Sequence, residues 1–194
     1  QNKFPVYNHR LIQPERLFVS RNDLGTTLRL DFGFHEARHW AKRLRTRTTL
    51  QWTTLGHVAD ILRGTEDSPA NLKRTLHTTN FLSSTTLQLA RKSDISLMRV
   101  ARQGDILMKR VGRHSAESPI LLLGSGFVQC SDCILIIRPN PGVNRHQLLF
   151  SLRVLVSWTT GRNLVEHGIG ASYIPIESLR NLEIPLGLAS NYAR

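Results

Sequence analysis

The stretch 133–158 limits the possible folds more than any other part of the chain. Residues 133–137 (CILII) form an unbroken apolar run closed by Arg138. A strand of that composition reads as one buried on both faces. RPNPG at 138–142 ends it with Pro and Gly punctuation. RHQLLFSLRVLVSW at 145–158 is the clearest helix, with Leu148, Leu149, Leu152, Leu155 and Val156 along one side.

The other elements are shorter. Strands are expected at 24–32, 85–90, 95–100, 105–111, 119–124, 127–138 and 173–176, each bounded by turn residues. A helix is expected over 36–45 (EARHWAKRLR), where Phe34, Ala37, Ala41 and Leu44 recur at helical spacing. A second is expected over 54–63 (TLGHVADILR), with Leu55, Val58, Ala59 and Leu62 on one face and Gly64 as its C′ glycine. Residues 46–54 read as a connector and 65–72 as a turn-rich loop, while Gly161, Gly168 and Gly170 mark a later loop. Strands and helices mix without a βαβ repeat, so the predicted class is α+β.

At 194 residues the chain suits one domain, or one domain with an appended arm. Its formal net charge of +12 calls for an acidic partner, nucleic acid before an anionic membrane. Within 73–114 nine Lys/Arg face only Asp94 and Asp105. These cations run through Thr/Ser-rich pieces and strands, not along one face of a helix, and so suit phosphate contacts better than a membrane surface. The chain has no membrane-length apolar stretch and no signal-peptide pattern at its start. Two cysteines exclude a disulfide scaffold and fit a reducing, cytoplasmic setting.

Motifs for catalysis are thin. His35-Glu36-Ala37-Arg38-His39 matches H-E-x-x-H, in which two His one helical turn apart bind zinc and the Glu serves as base. The extension carrying a third ligand is missing, and Arg38 is awkward beside a metal. A surface helix with its His toward water is the expectation, and a zinc-dependent hydrolase the alternative. Cys130-Ser131-Asp132-Cys133 is a lone C-x-x-C that leads into a strand, with His146 and His167 as unsupported further ligands. Asp31-Phe32-Gly33 lacks the rest of the kinase set. Gly124-Ser125-Gly126 lacks the third glycine of a dinucleotide fingerprint, and no Walker A pattern occurs. No Asn-Pro-Pro-aromatic tetrapeptide and no Asp/Glu-x-Lys spacing occurs. No catalytic residue, metal or cofactor is expected.

From Trp52 onward the order of segments resembles the target recognition domain of specificity (S) subunits in Type I restriction-modification systems. The likeness rests on Trp52 with LGHVADILRG (55–64), on QGDILMKRVGR (103–113), on CILIIRPNPG (133–142) with its following helix, and on GIGASYIPIESLRNLEIPL (168–186). LRLDFGFHEARHWAKRL (28–44) is similar to the linker that precedes such domains. The family usually carries two recognition domains and a Gln-bearing helix after the last Pro-Leu. Here there is room for one, LASNYAR follows the Pro-Leu, and Gln1 fits a piece of a longer product.

The resemblance implies an arm or linker with a short helix over 1–50, a recognition domain over 51–187 with a mixed, strongly curved sheet and flanking helices, and a tail over 188–194. It implies sequence-specific binding of double-stranded DNA by a non-enzymatic subunit. The partners it implies are a modification methyltransferase, restriction subunits and a second recognition domain with which the chain would pair. A scaffold that binds nucleic acid without reading sequence is the other alternative. The expected DNA-binding residues lie in three places. Lys109, Arg110, Arg113 and His114 follow the 105–108 strand beside Gly112, with Arg102 just before it. Ser172 and Tyr173 belong to the 168–173 loop. Lys73, Arg74, His77 and Asn80 belong to 73–80.

Overall fold

A computed structural model describes residues 3–8, 15–20, 29, 31–65, 75–80, 86–88, 100–112, 115–117, 119–168 and 171–186. The class is α+β, and its centre is the apolar run. Strand β11 (Ile134–Pro139) lies between β4 (Ala59–Arg63) and β8 (Ile106–Lys109) in a five-stranded sheet. Beyond β8 come β9 (Ile120–Leu123) and β6 (Thr86–Gln88). β6 runs parallel to β9 and the other pairs are antiparallel, so the sheet is mixed.

Both faces of this sheet are covered, which is why the run never alternates. Leu135 and Ile137 face one core with Ile61, Ile106, Met108 and Leu121. Ile134 and Ile136 face a second core with Leu107, Ile120 and Leu122. The first core is roofed by the helix Arg145–Ser157, whose Leu148, Leu149, Leu152, Leu155 and Val156 are all buried. Asn144 caps that helix, its side-chain oxygen accepting from the amides of His146 and Gln147 at 3.0 and 3.2 Å. The second core is closed by a small sheet in which β10 (Phe127–Cys130) lies between β5 (Thr75–Leu76) and β7 (Val100–Arg102).

Two outer pieces complete the fold. β3 (Gln51–Thr54) pairs antiparallel with β12 (Glu183–Leu186). β1 (Lys3–Asn8) and β2 (Glu15–Ser20) form an antiparallel pair that no sequence signal announced. The helix Phe32–Arg47 starts earlier than expected because Asp31 caps it, its carboxylate accepting from the Phe34 amide at 2.8 Å. Trp40 of this helix meets Trp158 with ring centroids 5.2 Å apart, beside the short helix Thr159–Arg162.

Several expectations are corrected. The helix predicted over 54–63 exists only as one turn, Leu55–Val58, before the chain becomes β4. Five ladder pairs to β11 and burial of Ala59 and Ile61 on one sheet face outweigh the helical spacing. Gly64 is therefore no helix cap. It abuts the Cys130 and Ser131 carbonyls so closely that no Cβ fits, and its amide donates to Ile134 O at 3.0 Å. The connector at 46–54 contains β3. Of the strand at 173–176 only a bridge at Tyr173 remains, because Ile176 opens a short helix, Ile176–Arg180. Gly161 is buried in the Thr159–Arg162 turn, not in an open loop. Of the strand at 24–32, residues 24–28 and 30 lie outside the described residues, as does most of 95–100.

Candidate nucleic-acid interface

β8 delivers the chain to Arg110, and the segment after it is tied to the 167–174 loop by main-chain bonds. Ile174 N donates to Arg110 O at 2.7 Å and Gly112 N to Ser172 O at 3.0 Å. The Ser172 hydroxyl donates back to Gly112 O at 2.8 Å. Tyr173 bridges to Val111 on one side and to His167 on the other, and its ring stays exposed. Gly112 adopts φ +111°, and no atom of the described residues lies within 4 Å of where a Cβ would stand. Main chain is thus open to a close approach there. Two of the three loops selected from the sequence are in this way one structural unit.

Glu166 supports that unit from behind. Its Oε1 accepts from the buried Ser115 hydroxyl at 3.1 Å and from Ala116 N at 2.9 Å. His167 Nε2 lies 2.8 Å from Ser178 Oγ. Burial, and then the charge of Arg29, lower the His167 pKa, while Asp31 opposes them.

Arg110 does not point freely outward. Its Nε donates to Asp132 O at 2.8 Å and its Nη2 lies 3.7 Å from the Asp132 carboxylate. Arg63 grips the same residue through its own guanidinium. The Arg63 hydrogen bond, then the Cys133 thiol and the charges of both arginines, hold the Asp132 carboxyl below its usual range, against a smaller desolvation effect. The turn at 131–133 is therefore a cation-bound corner. His77 is exposed beside this corner, where Ser131 N donates to Leu76 O at 2.9 Å, and Asn80 closes the turn Thr78–Asn80.

Lys109 ends β8, half-buried, opposite Ile134. Arg102 is exposed at the other end of that strand, its amide donating to Asp105 Oδ2 at 2.9 Å. The fold thus joins Arg110, Ser172 and Tyr173, sets His77 beside the 131–133 corner, and places Arg102 at the far end of β8. Lys73, Arg74, Arg113 and His114 lie outside the described residues. Sequence reading passed over Arg63, Asp132, Glu166 and the pair Asp105–Arg138. The one available signal was Asp105 itself, an acid directly ahead of the apolar ILM, where burial demands a partner.

The HEARH segment is also corrected. His39 is exposed, but His35 is buried, with Nε2 2.6 Å from Arg29 O, and packs edge-on to Phe34. A carbonyl only accepts, so Nε2 carries the proton in this contact and its lone pair is not open to a metal. Among the described residues no three His, Cys, Asp or Glu side chains are grouped to hold a metal. Cys130 and Cys133 are not joined in a disulfide, and the Cys133 thiol donates to Asp132 Oδ1 at 3.3 Å; burial first, and Asp105 second, push Cys130 up to about 12. Among the described residues no helix is long and apolar enough to cross a membrane.

No protein-family model matches the chain, and no curated protein matches it. Solved structures do. A chain from a study of complex assembly and conformational transition in the type I R-M system aligns at a TM-score of 0.52 and 20% identity, covering 79% of this chain and 39% of that one. The HsdS subunit from Thermoanaerobacter tengcongensis aligns at 0.48 and 19% identity, covering 79% and 40%. The Type-I restriction-modification S subunit from M. genitalium aligns at 0.45 and 15% identity, covering 72% and 35%. This chain spans no more than 40% of the length of any of the three. Over 79% of its length the chain carries a fold found in the type I restriction-modification system.

Proposed function

We propose that the chain is a sequence-specific double-stranded DNA-binding module, and that it directs a partner methyltransferase or endonuclease of a restriction-modification or related phage-defence system to its site. The module spans 51–187, with 1–50 as an arm and the mixed sheet curving behind the loops. It works in the cytoplasm and carries out no reaction itself. Modification and restriction subunits, and a second recognition domain for the other half-site, are the partners this reading implies.

The observation that carries the reading is the hydrogen-bonded union of the 110–112 and 172–174 segments. They present an exposed Tyr, a Ser and an open glycine backbone beside a cationic corner. A net charge of +12 supplies affinity through counterion release, which carries no sequence information. Side chains on a rigid loop pair supply the reading of base edges. Lys73, Arg74, Arg113 and His114 remain part of the proposed surface. The test is selection of preferred sites from random duplex DNA, followed by titration at physiological salt. Equal affinity for selected and random duplexes sinks the reading and leaves a non-specific nucleic-acid binder.

A further inference from the structure

Beyond the loop pair, a second cationic feature occupies the opposite end of β8. A hollow of about 200 Å³ is lined there by Arg102, Gln103, Asp105, Arg138 and Arg145. One wall is fixed. Arg138 donates to the buried Asp105 carboxylate twice, Nε to Oδ1 at 3.0 Å and Nη2 to Oδ2 at 2.8 Å, and its Nη2 also donates to Val100 O at 2.9 Å. Asp60 stands across the ladder from Arg138, outside the lining.

Arg102 and Arg145 differ from Arg138. Among the described residues neither guanidinium has a carboxylate partner. Arg145 Nη1 comes within 3.0 Å of where a Cβ on Gly104 would stand, so its head leans over a glycine at φ +88°. Two like charges converging on one hollow repel unless an anion lies between them. Guanidinium forks from several directions suit a tetrahedral phosphate, which offers acceptors on several sides, better than a planar carboxylate.

We propose that this hollow binds one phosphate group of the DNA backbone, held by Arg102 and Arg145 over the Arg138–Asp105 floor. The proposal rests on the DNA-binding reading above. β8 sets the hollow about 16 Å from Arg110, taking five residues at ~3.3 Å each. That is comparable with the ~12 Å width of the major groove. A loop pair inside the groove leaves Arg102 and Arg145 at a bordering strand. The hollow fixes register and contributes nothing to base choice.

The test compares the wild-type chain with Arg145→Ala and Arg102→Ala, each checked for folding by circular dichroism and urea denaturation. Each binds a selected duplex and a random one between 50 and 200 mM salt. Losing one phosphate contact flattens the salt dependence by ~0.9 log units per log unit of salt, so the variant's affinity falls about 3.5-fold less over that range. The ratio of selected to random affinity stays unchanged. An unchanged slope, or a changed ratio, overturns the assignment. A titration with inorganic phosphate, followed by NMR of the arginine Nε–H groups, separates this proposal from the one it rests on. Phosphate-induced shifts at Arg102 and Arg145 with no duplex binding show a free-phosphate site and overturn the backbone assignment. Duplex binding with equal affinity for all sequences, but a flattened slope in the variants, sinks the specificity reading and leaves the hollow standing.

Discussion

Arg138 and Asp105 form a two-pronged ion pair under the central sheet, with the Asp105 side chain only 2% exposed. Asp105 also accepts from the Arg102 amide, so one carboxylate joins β7, β8 and β11. Arg138→Met orphans a buried charge and is expected to cost ~3–5 kcal/mol in urea denaturation. Arg138→Met combined with Asp105→Asn removes that charge, and the double variant should recover much of the loss. A double variant as unstable as the single one contradicts this account.

Glu166→Ala strips the acceptor from Ser115 Oγ and Ala116 N, both of which are buried. The expected cost is ~1–3 kcal/mol. Amide hydrogen exchange around 110–116 should speed up, and DNA affinity should fall alike for every sequence. Unaltered exchange there shows that the loop pair does not depend on Glu166.

Arg110→Ala distinguishes two roles. As a reader of guanine, Arg110 contributes ~1–3 kcal/mol at one base position. As the partner of Asp132, it holds the 131–133 corner, and its loss weakens binding evenly across positions. Given both contacts to Asp132, the even loss is the expected result, read from the site preferences of the variant.

His167 has a folded pKa below its ordinary 6.5, chiefly through burial. The unfolded chain therefore binds its proton first on acidification, and stability falls as pH drops below about 6.5, levelling off under the folded pKa. Thermal melts of His167→Gln should show a shallower decline through that window than the wild type. Parallel curves contradict the assignment.

Gly161 lies so close to the Leu155 carbonyl that a Cβ cannot be placed. Gly161→Ala should displace the Thr159–Arg162 turn from the end of the long helix and cost several kcal/mol, on the order of severe overpacking. Ser157→Ala, on the exposed side of that junction, should lie within ~0.5 kcal/mol of wild type. Melting both variants checks the contrast.

What the sequence made legible was local. The run 133–137 needs cover on both faces whatever lies around it, and the two cores supply that cover. The apolar stripe of 145–158 is a helix in any context that buries it. By contrast, 54–63 satisfies two periods. Leu55, Val58, Ala59 and Leu62 fit a helix, while Ala59 and Ile61 fit a sheet face. The decision came from β11, more than seventy residues away in sequence, through the Leu135–Arg63 to Pro139–Ala59 ladder. The site divides in the same way. Glycine-bearing loops with polar and cationic residues announce themselves locally. The grip of Arg63 and Arg110 on Asp132 depends on three distant segments meeting, and no window of sequence contains it.

Antiparallel pairing of β3 with β12 sets Gln51 opposite Leu186. Everything from the cores to the loop pair is strung between two points that lie side by side. A unit with such neighbouring ends can be spliced into a host chain, or exchanged for another of its kind, without altering the distance between the parts of the host that flank it. The loops between those two ends can change without moving the ends themselves, because the β3–β12 ladder holds them together.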